Sequence, residues 1–248
     1  MGQFDGRVVI VTGGGIGIGA AHSRGFAGEG AQVVVADLDE AAAKALAREI
    51  NGLAVKVDVS DEESTKAMAK AAFDRYGRID VLINNAGLFS ALLPMKPWTE
   101  ISVKEWDWVM SVNVRGTMLA ARAVFPYMKA QGRGRIINTS SNTALSGVPF
   151  LLHYVSSKGA VISMTRALAR ELGDSGVTVN AITPGLVSTE GVRKGYGQDM
   201  ITGRVAARSI KREQMPGDLV GPAMFLASDA SAFITGQVIN VDGGQIMY

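Results

Sequence analysis

The stretch RVVIVTGGGIGIG, residues 7–19, decides the fold of this chain. Its first part, Arg7–Thr12, is a compact run of β-branched residues, which predicts a buried strand. Five glycines follow within the next seven residues, and a helix is predicted from Gly17 to Glu29, closed by Gly30. A strand that runs through a glycine-rich turn into a helix is typical of the first unit of an open α/β sheet.

The rest of the chain repeats this order of strand and helix. Further strands are predicted at residues 32–36, 53–57, 81–83, 135–139, 177–182 and 238–241. Helices are predicted at residues 40–50, 61–76, 103–131, 151–172 and 218–228, with an interruption near Asn113, while residues 88–101 and 186–217 are expected to be looser. Such alternation implies a parallel sheet. We therefore predict a single α/β domain over residues 1–248, a doubly wound parallel sheet of about seven strands with helices on both faces.

Composition excludes several classes of protein and site. The 248 residues are 47% hydrophobic with a formal net charge of only +2, so a globular chain without a nucleic-acid partner is expected. The absence of cysteine excludes disulfides, thiolate catalysis and zinc–sulfur sites, and His22 and His153 lie too far apart to suggest a metal site. Neither a signal-peptide pattern nor a run of about 20 apolar residues is present, so a cytoplasmic protein without a membrane span is expected.

The glycine turn after the first strand is suited to binding a pyrophosphate. Glycines let the backbone approach phosphate oxygens, and the N-terminus of a helix offers free N–H groups and a partial positive charge. Asp37 ends the second strand about 20 residues further on, where a carboxylate can accept hydrogen bonds from an adenosine ribose. The pattern indicates a dinucleotide site. A purely structural turn, with Asp37 as a helix N-cap or a turn acid, is the alternative.

Asp37 also favours one dinucleotide over the other. Two like charges about 4 Å apart cost about 4 kcal/mol at an effective dielectric constant of about 20, so this carboxylate repels the 2′-phosphate of NADP. Solvent screening reduces the effect to a preference of about 10- to 100-fold for NAD. Ile16 and Leu38, which flank the site in sequence, supply no cation to offset the repulsion. NAD is therefore the predicted cofactor.

Together with later motifs, these residues resemble the short-chain dehydrogenase/reductase family along almost the whole chain. The family's motifs match the sequence at Thr12, Gly13, Gly17 and Gly19 (glycine motif), Asn84–Gly87 (Asn-Asn-Ala-Gly), Tyr154 and Lys158 (Tyr-x-x-x-Lys), and Pro184, Gly185 and Thr189 (Pro-Gly and its downstream threonine). The family's serine lies thirteen positions before the tyrosine, at Ser141, and its helix asparagine matches Asn113. Ile16 departs from the polar residue that the family often has in the glycine turn, which leaves the pyrophosphate contact to backbone groups.

The resemblance implies a Rossmann-type fold, a nicotinamide cofactor and, as is usual in the family, a homotetramer. It also implies that Asp58 and Val59 flank the adenine ring, and that Val187 and Thr189 contact the carboxamide. The full predicted cofactor-binding set is Gly13, Gly15, Ile16, Gly17, Ile18, Asp37, Leu38, Asp58, Val59, Asn85, Ala86, Gly87, Tyr154, Lys158, Pro184, Gly185, Val187 and Thr189.

Tyr154 and Lys158 are the predicted acid/base pair. They lie four residues apart on a predicted helix and share one face, although this spacing is also common in ordinary helix packing. A free tyrosine has a pKa of about 10. A cation within about 4–6 Å can lower a pKa by one to three units, so Lys158 and the positively charged ring of oxidised NAD are expected to favour ionised Tyr154. Tyr154 would then accept the alcohol proton as hydride leaves for the cofactor, and return it in the reverse direction.

Ser141 and Asn113 complete the predicted catalytic set. Ser141 closes the fifth strand at the carboxyl edge of the sheet, where its hydroxyl could hold a substrate oxygen near Tyr154. Spacing alone leaves Ser140 as a competitor, and the resemblance favours Ser141. Asparagine is a poor helix former. The resemblance implies that Asn113 disturbs its helix and holds a water in a relay to Lys158; an exposed polar residue is the alternative.

The substrate pocket is expected to form from residues 88–98 and 186–217. Its apolar residues favour a hydrophobic, cyclic or aryl alcohol or ketone, although they could instead face the core or a subunit contact: Phe89, Leu92, Leu93, Leu186, Val192, Tyr196 and Met200. The tryptophans at 98, 106 and 108 are predicted to be packing residues, and His153 to line the pocket mouth or be solvated. A solvated basic face, or alternatively a pocket for an anionic substrate, is predicted from Arg204, Arg208, Lys211 and Arg212.

Three functions are compatible with these motifs. The first is an NAD-dependent oxidoreductase that acts on a small alcohol or carbonyl substrate. The second is an NADPH-dependent ketoacyl reductase, against which Asp37 argues. The third is a dinucleotide-binding module that has lost catalysis and acts through partners, against which the intact Ser141, Tyr154 and Lys158 argue.

Overall fold

Seven strands form one parallel sheet in the computed structural model, which describes residues 2–247. The strands are β1 (Val8–Thr12), β2 (Gln32–Asp37), β3 (Leu53–Lys56), β4 (Val81–Asn84), β5 (Gly134–Thr139), β6 (Val177–Pro184) and β7 (Val238–Val241). Their order in the sheet is β3-β2-β1-β4-β5-β6-β7, and every neighbouring pair is parallel. The order reverses between β1 and β4, which opens a crevice at the carboxyl ends of the strands. The predicted fold class is confirmed.

Ten α-helices connect and cover the strands within residues 2–247. They are α1 (Gly17–Gly28), α2 (Glu40–Glu49), α3 (Glu62–Tyr76), α4 (Val103–Met110), α5 (Gly116–Gln131), α6 (Thr143–Ser146), α7 (Leu152–Leu172), α8 (Glu190–Gly195), α9 (Gln198–Ala206) and α10 (Val220–Ala227). Asp39 caps α2 by accepting two backbone N–H groups at 3.0 Å, and Asp61 caps α3 by accepting one, that of Ser64, at 2.6 Å. The cap of α2 is therefore Asp39, and the alternative that Asp37 caps this helix is wrong.

The alternation of side chains along β1 separates two apolar layers. Val9 and Val11 point to one face, where they belong to a cluster with Phe26 of α1. Val8 and Ile10 point to the other face and belong to a cluster with Met68 of α3. Because all of these side chains are fully buried, each contributes about 1.5–3 kcal/mol of hydrophobic stabilisation. The two layers pack the sheet between its helices, and the crevice lies at the edge formed by the carboxyl ends of the strands.

The predicted interruption near Asn113 is confirmed. α4 ends at Met110, residues Ser111–Arg115 form a π-helical turn, and α5 begins at Gly116. Asn113 is 0% exposed, so the alternative of an exposed polar residue is wrong. Single π-helical turns inside α-helices occur frequently at functional sites.

None of the helices within residues 2–247 combines the length and the apolar character that crossing a bilayer requires.

Candidate active site

A cavity of about 720 Å³ lies at the crevice between β1 and β4. Small-molecule sites usually measure about 300–1,000 Å³, so this volume suits a ligand of cofactor size. The residues at its wall come from the carboxyl ends of several strands, from the start of α7 and from the segment that carries α8 and α9. Every residue of the predicted cofactor-binding set lines the cavity except Gly15.

The glycine turn lies tightly against the chain that follows β4. Gly13 and Gly17 have positive φ angles of 59° and 55°, which favour glycine. A Cβ on Gly13 would lie 2.9 Å from the Cα of Ala86, so the close approach also requires glycine there. Ile16, at the N-cap of α1, makes no side-chain hydrogen bond to the first N–H groups of the helix. Those groups are available to bind an anion.

The Asp37 carboxylate fixes the turn from the side of β2. It is 8% exposed, lines the cavity, and accepts the backbone N–H groups of Gly15 at 2.9 Å and of Asp39 at 3.0 Å. The N–H of Gly15 is thus engaged by protein, and Gly15 does not line the cavity. Contact between Gly15 and the cofactor stays a prediction.

A reciprocal set of hydrogen bonds links the glycine turn to the Asn-Asn-Ala-Gly segment. The Oγ1 atom of Thr12 accepts the N–H groups of Asn85 at 3.1 Å and Ala86 at 3.2 Å. In return, the Asn85 side-chain amide donates to the carbonyls of Thr12 and Gly13 at 3.2 Å and 3.1 Å. Asn84 instead points to the sheet centre, where its amide donates to Asn138 Oδ1 at 3.0 Å. The segment therefore both shapes the cavity and stabilises the sheet.

Tyr154 and Lys158 lie together at the cavity on the first two turns of α7. Lys158 Nζ lies 5.7 Å from the centre of the Tyr154 ring and donates to the carbonyl of Thr139 at 2.8 Å. Burial raises the pKa of Tyr154 to about 12, and a hydrogen bond with Ser141 opposes that rise. Burial also lowers the pKa of Lys158 to about 8. The expected lowering of the Tyr154 pKa by Lys158 is wrong for the groups of this chain, because burial is the largest influence on this pKa and Lys158 is not among the groups that shift it. Such displaced pKa values of Tyr154 and Lys158 within one cleft are characteristic of acid/base sites.

The hydroxyl groups of the two neighbouring serines, Ser140 and Ser141, differ in the hydrogen bonds that they can make. Ser140 Oγ donates its proton to the carbonyl of Lys158 at 2.7 Å, so it is committed to holding α7. Ser141 Oγ accepts hydrogen bonds from the Thr143 N–H at 3.2 Å and the Thr143 hydroxyl at 3.0 Å, which leaves its own proton for another acceptor. The geometry favours Ser141 over Ser140 as the group that meets a substrate oxygen.

Asn113 lies behind the cavity wall rather than in it. Its Oδ1 atom accepts the Leu88 N–H at 2.7 Å, and its Nδ2 atom donates to Ser157 Oγ at 3.0 Å. A Cβ on Gly87 would lie 3.2 Å from Asn113 Oδ1 and 3.3 Å from Lys158 Nζ, so Gly87 separates the two side chains. Protein groups therefore engage both ends of the Asn113 amide, and its role in holding a water stays a prediction.

The substrate end of the cavity is mostly apolar, as the sequence indicates. Phe89, Leu186, Val192 and Tyr196 line it, whereas Leu92, Leu93 and Met200 do not. Leu88 lines the cavity from within the predicted segment 88–98, whereas sequence reasoning missed the apolar lining residues Trp108, Val148 and Leu151. Leu151 could have been found from its position three residues before Tyr154. Trp108 carries no such signal and is half exposed at the cavity, so its assignment as a packing residue is wrong.

Two further expectations for polar residues are wrong. His153 is 1% exposed, and its Nε2 atom lies 3.2 Å from Glu105 Oε1, so it is neither solvated nor at the pocket mouth. Arg208 is 2% exposed and donates to the carbonyls of Leu186 at 2.7 Å and Arg212 at 2.9 Å, so it is not part of a solvated face. Arg204, by contrast, lines the cavity. No cluster of three acidic or histidine side chains that could hold a metal occurs in the described part of the chain.

Comparison with known proteins places this site in a family. A family model described as enoyl-(acyl carrier protein) reductase matches residues 14–245. An uncharacterised oxidoreductase of Mycobacterium tuberculosis is 40% identical over 250 residues, which cover 99% of each chain. The chain belongs to the short-chain dehydrogenase/reductase family.

Two other relatives of this family bear on the chemistry. Meso-2,3-butanediol dehydrogenase of Serratia marcescens is 36% identical, over 98% of this chain and 94% of that protein. A crystal structure of 3-ketoacyl-(acyl-carrier-protein) reductase from Brucella melitensis complexed with NADH has a TM-score of 0.91 and 34% identity, and the match covers 98% of this chain and 99% of that one. This short-chain dehydrogenase/reductase is thus an oxidoreductase that binds a nicotinamide dinucleotide. Its glycine cradle, which a Cβ at Gly13 would obstruct, and the carboxylate of Asp37 fit such a cofactor.

Proposed function

We propose that this protein is an NAD-preferring oxidoreductase that interconverts a small alcohol and its carbonyl compound, with Tyr154 as the proton donor and acceptor. The observation that carries the proposal is that one cavity contains both the residues suited to bind the cofactor and the residues suited to transfer the proton. Asp37 and the glycine turn line one part of it, and Ser141, Tyr154 and Lys158 line another.

The cofactor would be held mainly by backbone groups and one carboxylate. Gly13, Gly17 and the N-terminus of α1 would meet the pyrophosphate, and Asp37 the adenosine ribose. Asp58 and Val59 would flank the adenine, while Val187 and Thr189 would meet the carboxamide. When bound, the nicotinamide accepts or supplies the hydride.

Tyr154 would move the proton. A pKa of about 12 keeps its hydroxyl protonated at neutral pH, so in carbonyl reduction it can donate this proton to the oxygen that develops negative charge. Lys158 would supply positive charge near the phenolate that remains. The hydroxyl of Ser141, which also hydrogen-bonds to Tyr154, would bind the same substrate oxygen and orient it toward Tyr154. In alcohol oxidation the proton returns from the substrate to Tyr154.

The preference for NAD is argued from Asp37. Its carboxylate lines the cavity, and Ile16 and Leu38, which also line it, carry no positive charge to bind a 2′-phosphate. A 3-ketoacyl reductase activity that uses NADPH is the second candidate function, and the name of the Brucella relative favours its substrate class. The Asp37 carboxylate argues against NADPH as the cofactor, because it would repel the 2′-phosphate. The apolar substrate end favours a hydrophobic, cyclic or aryl alcohol or ketone.

We also propose that the protein is a homotetramer, as its family resemblance implies, and that it works in the cytoplasm. Light scattering coupled to size-exclusion chromatography would give a mass near four times the 26.1 kDa of one chain. A monomeric mass at assay concentration would contradict the proposed assembly.

A steady-state assay tests the proposed reaction. Wild-type protein, Tyr154→Phe and the control Tyr127→Phe, whose ring packs on Phe73 away from the cavity, are mixed with NAD or NADP and a panel of secondary, cyclic and aryl alcohols. We expect NADH to form with wild type and Tyr127→Phe, and turnover to fall by at least about 100-fold in Tyr154→Phe. Binding of NADH without turnover of any alcohol or ketone would favour the non-catalytic module. The reverse reaction is measured with NADH or NADPH and a panel of ketones and acyl thioesters, and turnover only with NADPH and acyl thioesters would favour the ketoacyl reductase.

A further inference from the structure

One cation at the substrate end of the cavity has no counter-ion. Arg204, on α9, is partly buried and lines the cavity. Within residues 2–247 its guanidinium forms no ion pair and no side-chain hydrogen bond, unlike the cations around it. Lys194 pairs with Glu190 at 2.7 Å, and Arg193 pairs with Glu213 at 2.8 Å. A partly desolvated guanidinium with five unused donors is suited to bind an anionic oxygen group.

An aromatic wall connects Arg204 with the proposed catalytic tyrosine. The rings of Phe89 and Tyr154 lie 5.1 Å apart between centres, and those of Phe89 and Tyr196 lie 6.0 Å apart and nearly parallel. Tyr196 and Arg204 line the same cavity, and Arg204 lies on the helix that follows Tyr196 directly in the chain. The charge of Arg204 also opposes the rise that burial causes in the pKa of Tyr196. Arg204 thus belongs to the Tyr196 end of the cavity rather than to the glycine turn.

We propose that the substrate carries a carboxylate on an apolar or aryl body, and that Arg204 binds this carboxylate and determines specificity. The assignment rests on the proposed function, because it takes Tyr154 as the group that meets the reacting oxygen. Ring faces and aliphatic side chains would contact the body of the substrate, chiefly Phe89, Leu186 and Tyr196. A single unpaired guanidinium matches a group with one negative charge, since Lys194 is already neutralised by Glu190.

Arginine favours a planar, bidentate partner, which a carboxylate provides. A phosphate of the cofactor is another source of anionic oxygens for the same guanidinium. The position of Arg204 beside Tyr196 argues for the substrate, and a titration with NADH separates the two sources.

Binding of unreactive ligands tests the assignment. Calorimetric titrations of the NADH-loaded protein compare 4-ethylbenzoate with its methyl ester, which have the same ring and differ in the charge. We expect wild type to bind the acid at least about tenfold more tightly than the ester, because charge-assisted hydrogen bonds are among the stronger ones. Arg204→Met should abolish this preference and leave ester binding within about twofold, and Arg204→Lys should retain part of it.

Lys211→Met is the matched control. Its exposed ammonium lies outside the cavity and donates to the carbonyl of Ala206, so its loss changes the net charge equally and should keep the preference for the acid. Equal binding of acid and ester by wild type, or an undiminished preference in Arg204→Met, would overturn the assignment. So would a loss of NADH affinity in Arg204→Met without a change in acid binding.

Turnover is measured separately with 4-acetylbenzoate and its methyl ester. If wild type binds the acid preferentially, loses this preference in Arg204→Met, and yet reduces neither ketone, the result would contradict the proposed function and support the anion site. Reduction of both ketones with equal kcat/KM, together with equal binding of 4-ethylbenzoate and its methyl ester, would contradict the anion site and support the proposed function.

Discussion

The Oδ1 atom of Asn113 accepts the backbone N–H of Leu88 at 2.7 Å, and this hydrogen bond joins the π-helical turn to the chain after β4. Gly87, the residue before Leu88, lies between the Asn113 side chain and Lys158 Nζ. The position of the Lys158 ammonium therefore depends on a turn that lies more than forty residues earlier in the sequence. A small displacement at Gly87 would be transmitted directly to the acid/base pair.

Gly87→Ala tests this dependence. The new Cβ would lie 3.2 Å from Asn113 Oδ1 and 3.3 Å from Lys158 Nζ, so these groups must shift by a few tenths of an ångström. We expect kcat to fall by about 2- to 10-fold, because misplacement of a full 1 Å can cost about 100-fold in rate. Gly159→Ala is the control, since its Cβ meets nothing within 4 Å on α7 and should keep full activity. Full activity in Gly87→Ala would show that the spacing at Gly87 is not critical.

Replacement of Asp37 tests the choice of cofactor. Asp37→Ala removes the repulsion of a 2′-phosphate, and Leu38→Arg adds a cation beside it, so the double variant should shift the NAD-to-NADP ratio of kcat/KM toward NADP by about 10- to 100-fold. Asp39→Ala is the matched control, because Asp39 caps α2 and does not line the cavity. Its ratio should stay at the wild-type value. An unchanged ratio in the double variant would count against the role of Asp37.

The pH dependence of activity should follow the protonation of Tyr154. Oxidation requires the form that accepts a proton, so its rate should rise with pH from mildly acid to alkaline conditions. Carbonyl reduction requires the protonated form, which a pKa of about 12 maintains at neutral pH, so its rate should be nearly flat there. Rates of both directions measured across this range check the prediction, provided that proton transfer limits the rate. A flat profile for oxidation would contradict the role of Tyr154 as base.

His22 should make the protein less stable in acid. Burial lowers its pKa from 6.5 to about 4, so between these values the unfolded chain binds a proton that the folded chain does not. Stability from this group is therefore complete above pH 6.5 and is lost as the pH falls toward 4. At pH 5 the loss is about 2 kcal/mol, from about 1.4 kcal/mol for each pKa unit.

Urea unfolding at about pH 7.5 and about pH 5 measures this loss. His22→Leu should lose less stability than wild type over that interval, by about 2 kcal/mol, because the titrating group is gone while all other groups are common to both proteins. Equal losses in the two proteins would mean that His22 titrates normally in the folded state.

Local sequence patterns predict the fold and most of the residues that line the cavity, whereas the burial of individual polar side chains depends on tertiary packing. The glycines of the first turn and Asp37 could be placed because the carboxyl ends of parallel strands meet at one edge. The burial of His153 and Arg208 could not be predicted, because it depends on Glu105 and Leu186, which distant segments bring to them. The Tyr154 pKa was predicted in the wrong direction for the same reason: sequence spacing gives the nearest cation but not the desolvation.

The most direct test of Tyr154 as the proton donor to the reacting oxygen uses NADH deuterated at its transferable position. Wild type, Tyr154→Phe and Tyr127→Phe are incubated with a neutral aryl ketone, and mass spectrometry locates deuterium in the product while calorimetry measures NADH binding. We predict one deuterium on the carbinol carbon with wild type and Tyr127→Phe, and at least about 100-fold less product with Tyr154→Phe at unchanged NADH affinity. Deuterated product formed at the wild-type rate by Tyr154→Phe would contradict the role of Tyr154.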